Sequence, residues 1–293
     1  MARTIRREQI RELPFRHGAR PNLGVEAFRL SELYARADRA ELDHALETPQ
    51  RPEFHTLYVG LRGQGRLVVD FTPVPLGARW LTVVARGRVQ QFVPDRGVDA
   101  WMILVEPATI VGSSLLAPSW PEPAIELPAA DRKELIALAE QIAAEQSRPP
   151  DRVQSPLLAT LVSALLLRAE RLQTGWTVPD GPLQQFFTIL ERDHLRTRSV
   201  AHYAKHAAIS PRRLGELLLA HTGKSTKQVI DERVVLECKR LLVHTDLTVK
   251  QLADRTGFAE PTNLVKFFRH HTQQTPLAFR AATRTFLPSG RRS

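Results

Sequence analysis

Residues 199–276 repeat themselves, and the repeat restricts the fold of that part of the chain more than any other feature. Ser199-Val200-Ala201-His202-Tyr203-Ala204 matches Thr248-Val249-Lys250-Gln251-Leu252-Ala253 at an offset of 49, and Ala208-Ile209 matches Gly257-Phe258 at the same offset. After one inserted residue, Leu214, Leu218, Thr222, Ser225 and Thr226 match Leu264, Phe268, Thr272, Thr275 and Pro276 at an offset of 50. A period of this length implies one supersecondary unit used twice. Each copy reads as a helix-turn-helix. Ser199 or Thr248 is an N-cap for a short helix with inward Val and Ala. A tight turn follows, where Gly257 gives easy access to positive φ. A second helix starts at Ser210-Pro211 or near Glu260-Pro261, with proline suited to the first turn. A longer helix, Thr226–Leu242, joins the copies and puts Val229, Ile230, Val234, Leu236, Leu241 and Leu242 on apolar faces.

Charge is concentrated in the same region. The 293-residue chain has a formal net charge of +10. Residues 183–293 hold 19 Lys and Arg against 9 Asp and Glu, which leaves 22 of each in residues 1–182. Seven of the ten histidines also lie in the back part. Such an asymmetry predicts a neutral front part and a back part that meets a polyanion. A helix-turn-helix suits DNA because its second helix enters the major groove while the first crosses the backbone.

The front part reads differently. Leu30–Tyr34 and Ala40–Leu46 are short helical pieces. Phe54–Leu61, Gly65–Phe71, Trp80–Ala85, Val89–Val93 and Trp101–Val105 are short strands cut by Gly63, Pro73/Pro75/Gly77, Gly87 and Pro94–Gly97. This spacing predicts a small antiparallel barrel or sandwich. A connector with Pro118, Pro121, Pro123 and Pro128 follows. Two helices are expected next, Asp131–Gln146 with Asp131 as N-cap and Ser155–Leu172 with Ser155 as N-cap. The second carries Leu158, Leu161, Val162 and Leu165 on one face, which serve either packing within the chain or a dimer seam. Thr174–Pro182 is a turn-rich boundary. The fold class is therefore α+β. A small β-barrel in residues 1–128 and a helical region in 129–182 precede an all-α domain in 183–293 with two helix-turn-helix units.

Residues 197–285 resemble the tandem helix-turn-helix domain of the AraC/XylS family of bacterial transcription regulators. The resemblance rests on Arg233–Leu242, Thr245–Ala253, Thr256-Gly257-Phe258, Asn263–His271 and Thr275–Arg280. A weaker similarity to the cupin-like effector domain of these regulators rests on Phe54–Val59, Gly63-Gln64-Gly65, Val69–Phe71 and Val89–Phe92. It implies a cytoplasmic homodimer on double-stranded promoter DNA, with RNA polymerase as a partner. It also implies a small-molecule effector in the front domain and activation of transcription. The family places DNA contacts at the exposed start of each second helix. Mapped here, these are Ser210, Arg212, Arg213, Gly215 and Glu216, then Glu260, Thr262, Asn263, Lys266 and Arg269. Arg212 and Arg213 suit guanine, Asn263 adenine, and Glu216 cytosine. Lys266, Arg269 and Thr262 suit phosphates. Arg233 resembles a structural arginine of the family. Two departures stand out. Gly215 offers no side chain to a base, and Gln273 replaces the usual glycine after the second recognition helix.

The front part carries little sign of catalysis. A cupin metal site needs two close histidines, a carboxylate and a further histidine, whereas this region offers His55 and places Gln90-Gln91 where relatives often show histidine. No phosphate loop, nucleophile elbow or His-Glu-x-x-His is present. The expectation is no enzyme, no metal and no cofactor. An effector pocket would draw on His55, Tyr58, Arg66, Trp80, Gln91 and Trp101, of which about half can face inward. Cys238, mid-helix among apolar residues, reads as an inert thiol suited to a reducing compartment. The basic N-terminus lacks an apolar run after it, so no secretory signal is expected. No run approaches the roughly 20 apolar residues of a membrane span. Two other readings stay open: a cupin-type metal enzyme with a DNA-binding tail, and an effector-independent dimeric DNA-binding protein.

Overall fold

The structure, a computed structural model, describes residues 11–13, 23–36, 49–93, 97–110, 113–116, 124–172 and 181–286. The expected helix over 40–46, the break at 94–96, Pro118, Pro121, Pro123 and the boundary segment 174–180 lie outside them. The chain divides into a front unit, Ile10–Val178, and a back unit from Pro179 onward.

Among the described residues the front unit has ten strands in two five-stranded sheets. In chain order they are β1 (Arg11–Leu13), β2 (Val25–Arg29), β3 (Gln50–Pro52), β4 (His55–Arg62), β5 (Gln64–Val69), β6 (Thr72–Gly77), β7 (Trp80–Val84), β8 (Gln90–Val93), β9 (Asp99–Val105) and β10 (Ala124–Glu126). One sheet runs β1-β3-β8-β5-β6 and the other β10-β7-β4-β9-β2. All pairings are antiparallel except β1 with β3. The barrel is thus open, two sheets face to face.

The second sheet is buried on both faces, and strand alternation sorts its side chains. Tyr58, Val84 and Ala100 join Leu67, Val69, Val74, Leu76 and Phe92 of the first sheet between the layers. Leu57, Val59, Leu81, Val83, Ile103 and Val105 point to the other side. Two helices cover that side, α2 (Ala129–Gln146) and α3 (Gln154–Arg171); α1 is Leu30–Arg36. Leu135, Ala139 and Ile142 of α2 and Leu158, Val162 and Leu165 of α3 are fully buried there. Each large apolar side chain so buried contributes about 1.5–3 kcal/mol.

The expected caps are corrected. The α2 helix starts two residues before Asp131, behind Pro128, with no side-chain cap. The α3 helix starts at Gln154, before Ser155, because the Asp151 carboxylate accepts from the backbone N–H groups of Val153 and Gln154, both at 2.9 Å.

The back unit is helical: α4 (Gly181–Asp193), α5 (Val200–His206), α6 (Pro211–Thr222), α7 (Thr226–His244), α8 (Val249–Arg255), α9 (Pro261–Thr272) and α10 (Pro276–Phe286). The repeat is visible in the elements. α5 and α8 are offset by 49, α6 and α9 by 50. The extra residue lies in the turn of the second copy. Each copy has its own core. Phe186, Tyr203, Ala204, Leu214 and Leu218 gather in the first, Leu252, Ala253, Leu264 and Phe268 in the second. The joining helix α7 serves both, giving Ile230 to one and Val234, Cys238, Leu241 and Leu242 to the other.

Candidate nucleic-acid interface

Capping fixes where the short helices begin. The hydroxyls of Ser199, Ser210, Ser225 and Thr248 each accept the N–H three residues on, and Ser225 and Thr248 complete capping boxes with Gln228 and Gln251. The turns match as well. Ile209 N–H donates to the Ala204 carbonyl at 3.1 Å and Phe258 N–H to that of Ala253 at 2.9 Å, the six-to-one bond of a helix C-terminal motif. Ala208 and Gly257 take the left-handed position in these turns, at φ +57 and +71.

The second helices are held by one face and offer the other. Leu214 and Leu218 anchor α6, Leu264 and Phe268 anchor α9, and all four are fully buried. Opposite them, Arg212, Arg213 and Glu216 on α6 are exposed, as are Thr262, Asn263, Lys266 and Arg269 on α9. Ser210 and Glu260 stand exposed at the two N-termini. The faces correspond residue for residue at an offset of 50, Arg212 to Thr262, Arg213 to Asn263 and Glu216 to Lys266. Spacings of three and four place each set on one side of its helix.

Several side chains are already engaged. The Ser210 Oγ accepts from Arg213 N–H at 3.1 Å, so it serves as a cap. Glu216 receives Arg212 Nε at 3.1 Å and Arg213 Nη1 at 3.3 Å. It would have to release these arginines to accept from cytosine. Glu260 forms no side-chain cap on α9. Gly215 is half-buried, and a Cβ there would meet only the Thr226 hydroxyl at 3.8 Å. Sequence reasoning missed Leu219, 58% exposed, which stands where Arg269 stands on the other helix, and the exposed His270. The signal was present: Leu219 follows Arg212 by seven residues and lies on the same face.

Charged groups tie the scaffold behind these faces. Arg233 donates to Glu191 through Nε and Nη2 at 2.9 Å and to Glu237 at 3.3 Å, and Glu237 also takes Arg240 Nη1 at 3.2 Å. Burial opposes the Arg233 charge, but the two carboxylates outweigh it and hold the guanidinium pKa above its ordinary value. Asp193 accepts from Arg192 and pairs with His202, and both partners keep its carboxyl well below the usual range. Burial pushes the Cys238 thiol up to about 12, as an inert thiol requires.

The six residues expected to line an effector pocket are scattered. Tyr58 alone is buried between the sheets, where its hydroxyl donates to Gln90 Oε1 at 3.2 Å. Gln90, and not Gln91, therefore faces inward. His55 is buried at the start of β4, accepts Arg86 N–H at 3.2 Å, and is held neutral by burial, with its pKa lowered to about 4. Trp101 packs on the helix side of the sheet, Trp80 is half-buried, and Arg66 is exposed. These six do not form one cavity, because alternation along the strands sends neighbours to opposite faces. A surface cleft lies elsewhere in this unit, lined by Arg79, Glu126, Leu127, Pro128, Ala129 and Arg132. The dimer residues need a similar correction. Leu158, Val162 and Leu165 are buried under the chain's own sheet, and Leu161 packs against the same core. Val153, Leu157 and Leu167 are the large apolar groups that face outward here. Among the described residues no group of three His, Cys, Asp or Glu is arranged to hold a metal, and no helix is long and apolar enough to cross a membrane.

Two capped helix-turn-helix units on one joining helix, each with an exposed second helix, define a tandem helix-turn-helix protein. Residues 203–282 match a family model described as a helix-turn-helix domain. The chain is similar to the HTH-type transcriptional activator RhaS of Salmonella schwarzengrund (strain CVM19633), 26% identical over 144 residues, 49% of this chain and 51% of that protein. RhaS of Enterobacter sp. (strain 638) is 27% identical over 50% of this chain and 52% of its own length. The chain thus spans about half the length of these relatives. Among solved structures, the DNA-binding domain of AdpA, a global transcriptional factor crystallised with a target DNA, is 31% identical. That match covers 38% of this chain and all of that domain, with a TM-score of 0.35. ToxT from Vibrio cholerae O395 is 12% identical over 82% of this chain and 91% of its own, with a TM-score of 0.42. Over residues 203–282 the chain therefore carries a helix-turn-helix domain, and it is similar to the RhaS activators.

Proposed function

We propose that this protein is a sequence-specific DNA-binding transcription regulator that inserts α6 and α9 into successive major grooves of promoter DNA. The observation that carries the reading is the pair of corresponding exposed faces, Arg212/Arg213/Glu216 and Thr262/Asn263/Lys266, on a unit that holds all the excess positive charge. Arg212 and Arg213 read guanine and Asn263 reads adenine, while Lys266, Arg269 and Thr262 hold phosphates. Glu216 keeps the two arginines side by side, and Ser210 and Glu260 lie where the N-termini approach the backbone.

The front unit senses a small molecule and assembles the protein as a cytoplasmic homodimer that activates transcription through RNA polymerase. It is not an enzyme. Support comes from the activator role of the RhaS relatives and from a lone His55, whose Nδ1 is taken by the Arg86 N–H, in place of a ligand set. The outward face of α3, with Val153, Leu157 and Leu167, is the surface for the second copy.

Arg212→Ala and Asn263→Ala test the reading of bases. Each is expected to lose about 1–3 kcal/mol of discrimination at one position of duplexes selected by the wild-type protein. Base preferences unchanged in both variants would remove these residues from the interface.

A further inference from the structure

The two reading units are fastened together at a joint away from their recognition faces. Arg198 lies one residue before the Ser199 cap, in the loop that leads into the first unit. Its Nη1 donates to the Thr256 carbonyl and its Nη2 to the Gly257 carbonyl, both at 3.2 Å. The same guanidinium lies over the Phe258 ring, 3.8 Å from the centroid, and 6.0 Å from that of Phe267. Thr256, Gly257 and Phe258 form the turn of the second unit, and Phe267 belongs to the second recognition helix. One side chain from the first unit therefore reaches the turn and the reading helix of the second.

The repeat supplies an independent sign of the same joint. Ala208 holds the place of Gly257 in the first copy at φ +57, so the turn itself accepts a Cβ. At 257 a Cβ would meet the Leu195 carbonyl oxygen at 2.4 Å. Glycine is demanded where the turn docks on residues 195–198, and not by the turn alone. Two bodies joined by a single helix keep freedom to tilt. A second attachment removes it. A planar guanidinium suits this place because it can bridge two carbonyls and stack on an aromatic face at once.

We propose that Arg198 is a positioning residue that sets the separation of the two recognition helices, and through it the spacing between half-sites that the protein accepts on DNA. This rests on the DNA-reading function above. A one-base-pair change between half-sites shifts and rotates one groove relative to the other, so a rigid pair of readers discriminates against it.

The test uses the full chain with duplexes selected from a random pool by the wild-type protein, and the same duplexes with the segment between the half-sites lengthened or shortened by one base pair. The wild type is expected to lose about tenfold or more in affinity on the altered spacings, equivalent to about 1.4 kcal/mol. Arg198→Ala is expected to bind the selected duplex more weakly and to separate the spacings by less than about threefold, with base preference within each half-site unchanged. A merely structural role would weaken binding to all duplexes alike. If Arg198→Ala does not fold, Arg198→Met keeps the alkyl stem over Phe258, removes the donors, and gives the same readout. Wild-type spacing discrimination in a folded variant, or none in the wild type, overturns the proposal. A wild type that selects no duplex at all overturns the DNA-reading function instead.

Discussion

At Gln273 the chain enters the left-handed region with φ +60, where the equivalent Gly223 has φ +70. The pattern reverses in the turns, where Ala208 stands opposite Gly257. A side chain in that region costs about 1 kcal/mol relative to glycine. Gln273 recovers part of it, since its Nε2 donates to the His270 carbonyl at 3.0 Å. Urea unfolding of the full chain is expected to show Ala208→Gly stabilising the back unit by about 1 kcal/mol and Gln273→Gly by somewhat less. The two native glycines separate in the opposite direction. Space is open around Gly223, whereas Gly257 abuts the Leu195 carbonyl. Gly257→Ala is therefore expected to cost over about 2 kcal/mol, well above Gly223→Ala. Equal losses at the two positions would contradict the docked turn. The sequence identified Gly257 as a positive-φ position but not as a point of close approach, because that depends on a carbonyl some 60 residues earlier in the chain.

At the scale of elements, the back unit was readable because its signals are local. Ser199, Ser210, Ser225 and Thr248 are caps spaced by one helix each, and the repeat let each copy check the other. The reading faces came from the family resemblance, and helical spacing agrees with it, since all nine residues assigned to DNA are exposed. The front unit was readable in part as short strands, since turns interrupt apolar runs there, but Pro73, Pro75 and Gly77, read as a break, lie in β6, an edge strand where proline is tolerated. The layering of the unit was not readable, because nothing local says that β4 and β9 are buried on both faces. That is why Leu158, Val162 and Leu165 read either as core or as seam, and why Trp101 and Tyr58 stand together among the expected pocket residues. The one recognition helix without a side-chain cap offers a direct check. Replacing Glu260 with Ser should let a hydroxyl accept the N–H two or three residues on, as Ser210 does in the first copy, and stabilise the back unit by about 1 kcal/mol. No gain in the urea midpoint would show that the backbone there does not admit the cap.

Across the whole molecule, charge and apolar surface are divided by role. The front 182 residues balance to zero and leave Leu157 and Leu167 exposed on α3, while the last 111 residues carry the +10. Sedimentation tests the assembly role of α3. The protein is expected to be a dimer, and Leu157→Glu with Leu167→Glu to shift it toward monomer without loss of helical signal, since neither side chain is core. A double variant as dimeric as the wild type would move the seam elsewhere.

The excess charge makes a stricter demand. Phosphate neutralisation releases counterions, so binding must fall steeply with salt for any duplex, while base contacts must add affinity for particular ones. The most direct test titrates the full chain with a selected duplex and with a scrambled duplex of the same composition, at salt from about 50 to 200 mM. The predicted result is a loss of roughly a thousandfold over that range, with the selected duplex bound at least about a hundredfold more tightly throughout. Equal affinity for the two duplexes, or binding indifferent to salt, would contradict a tandem reader of specific DNA.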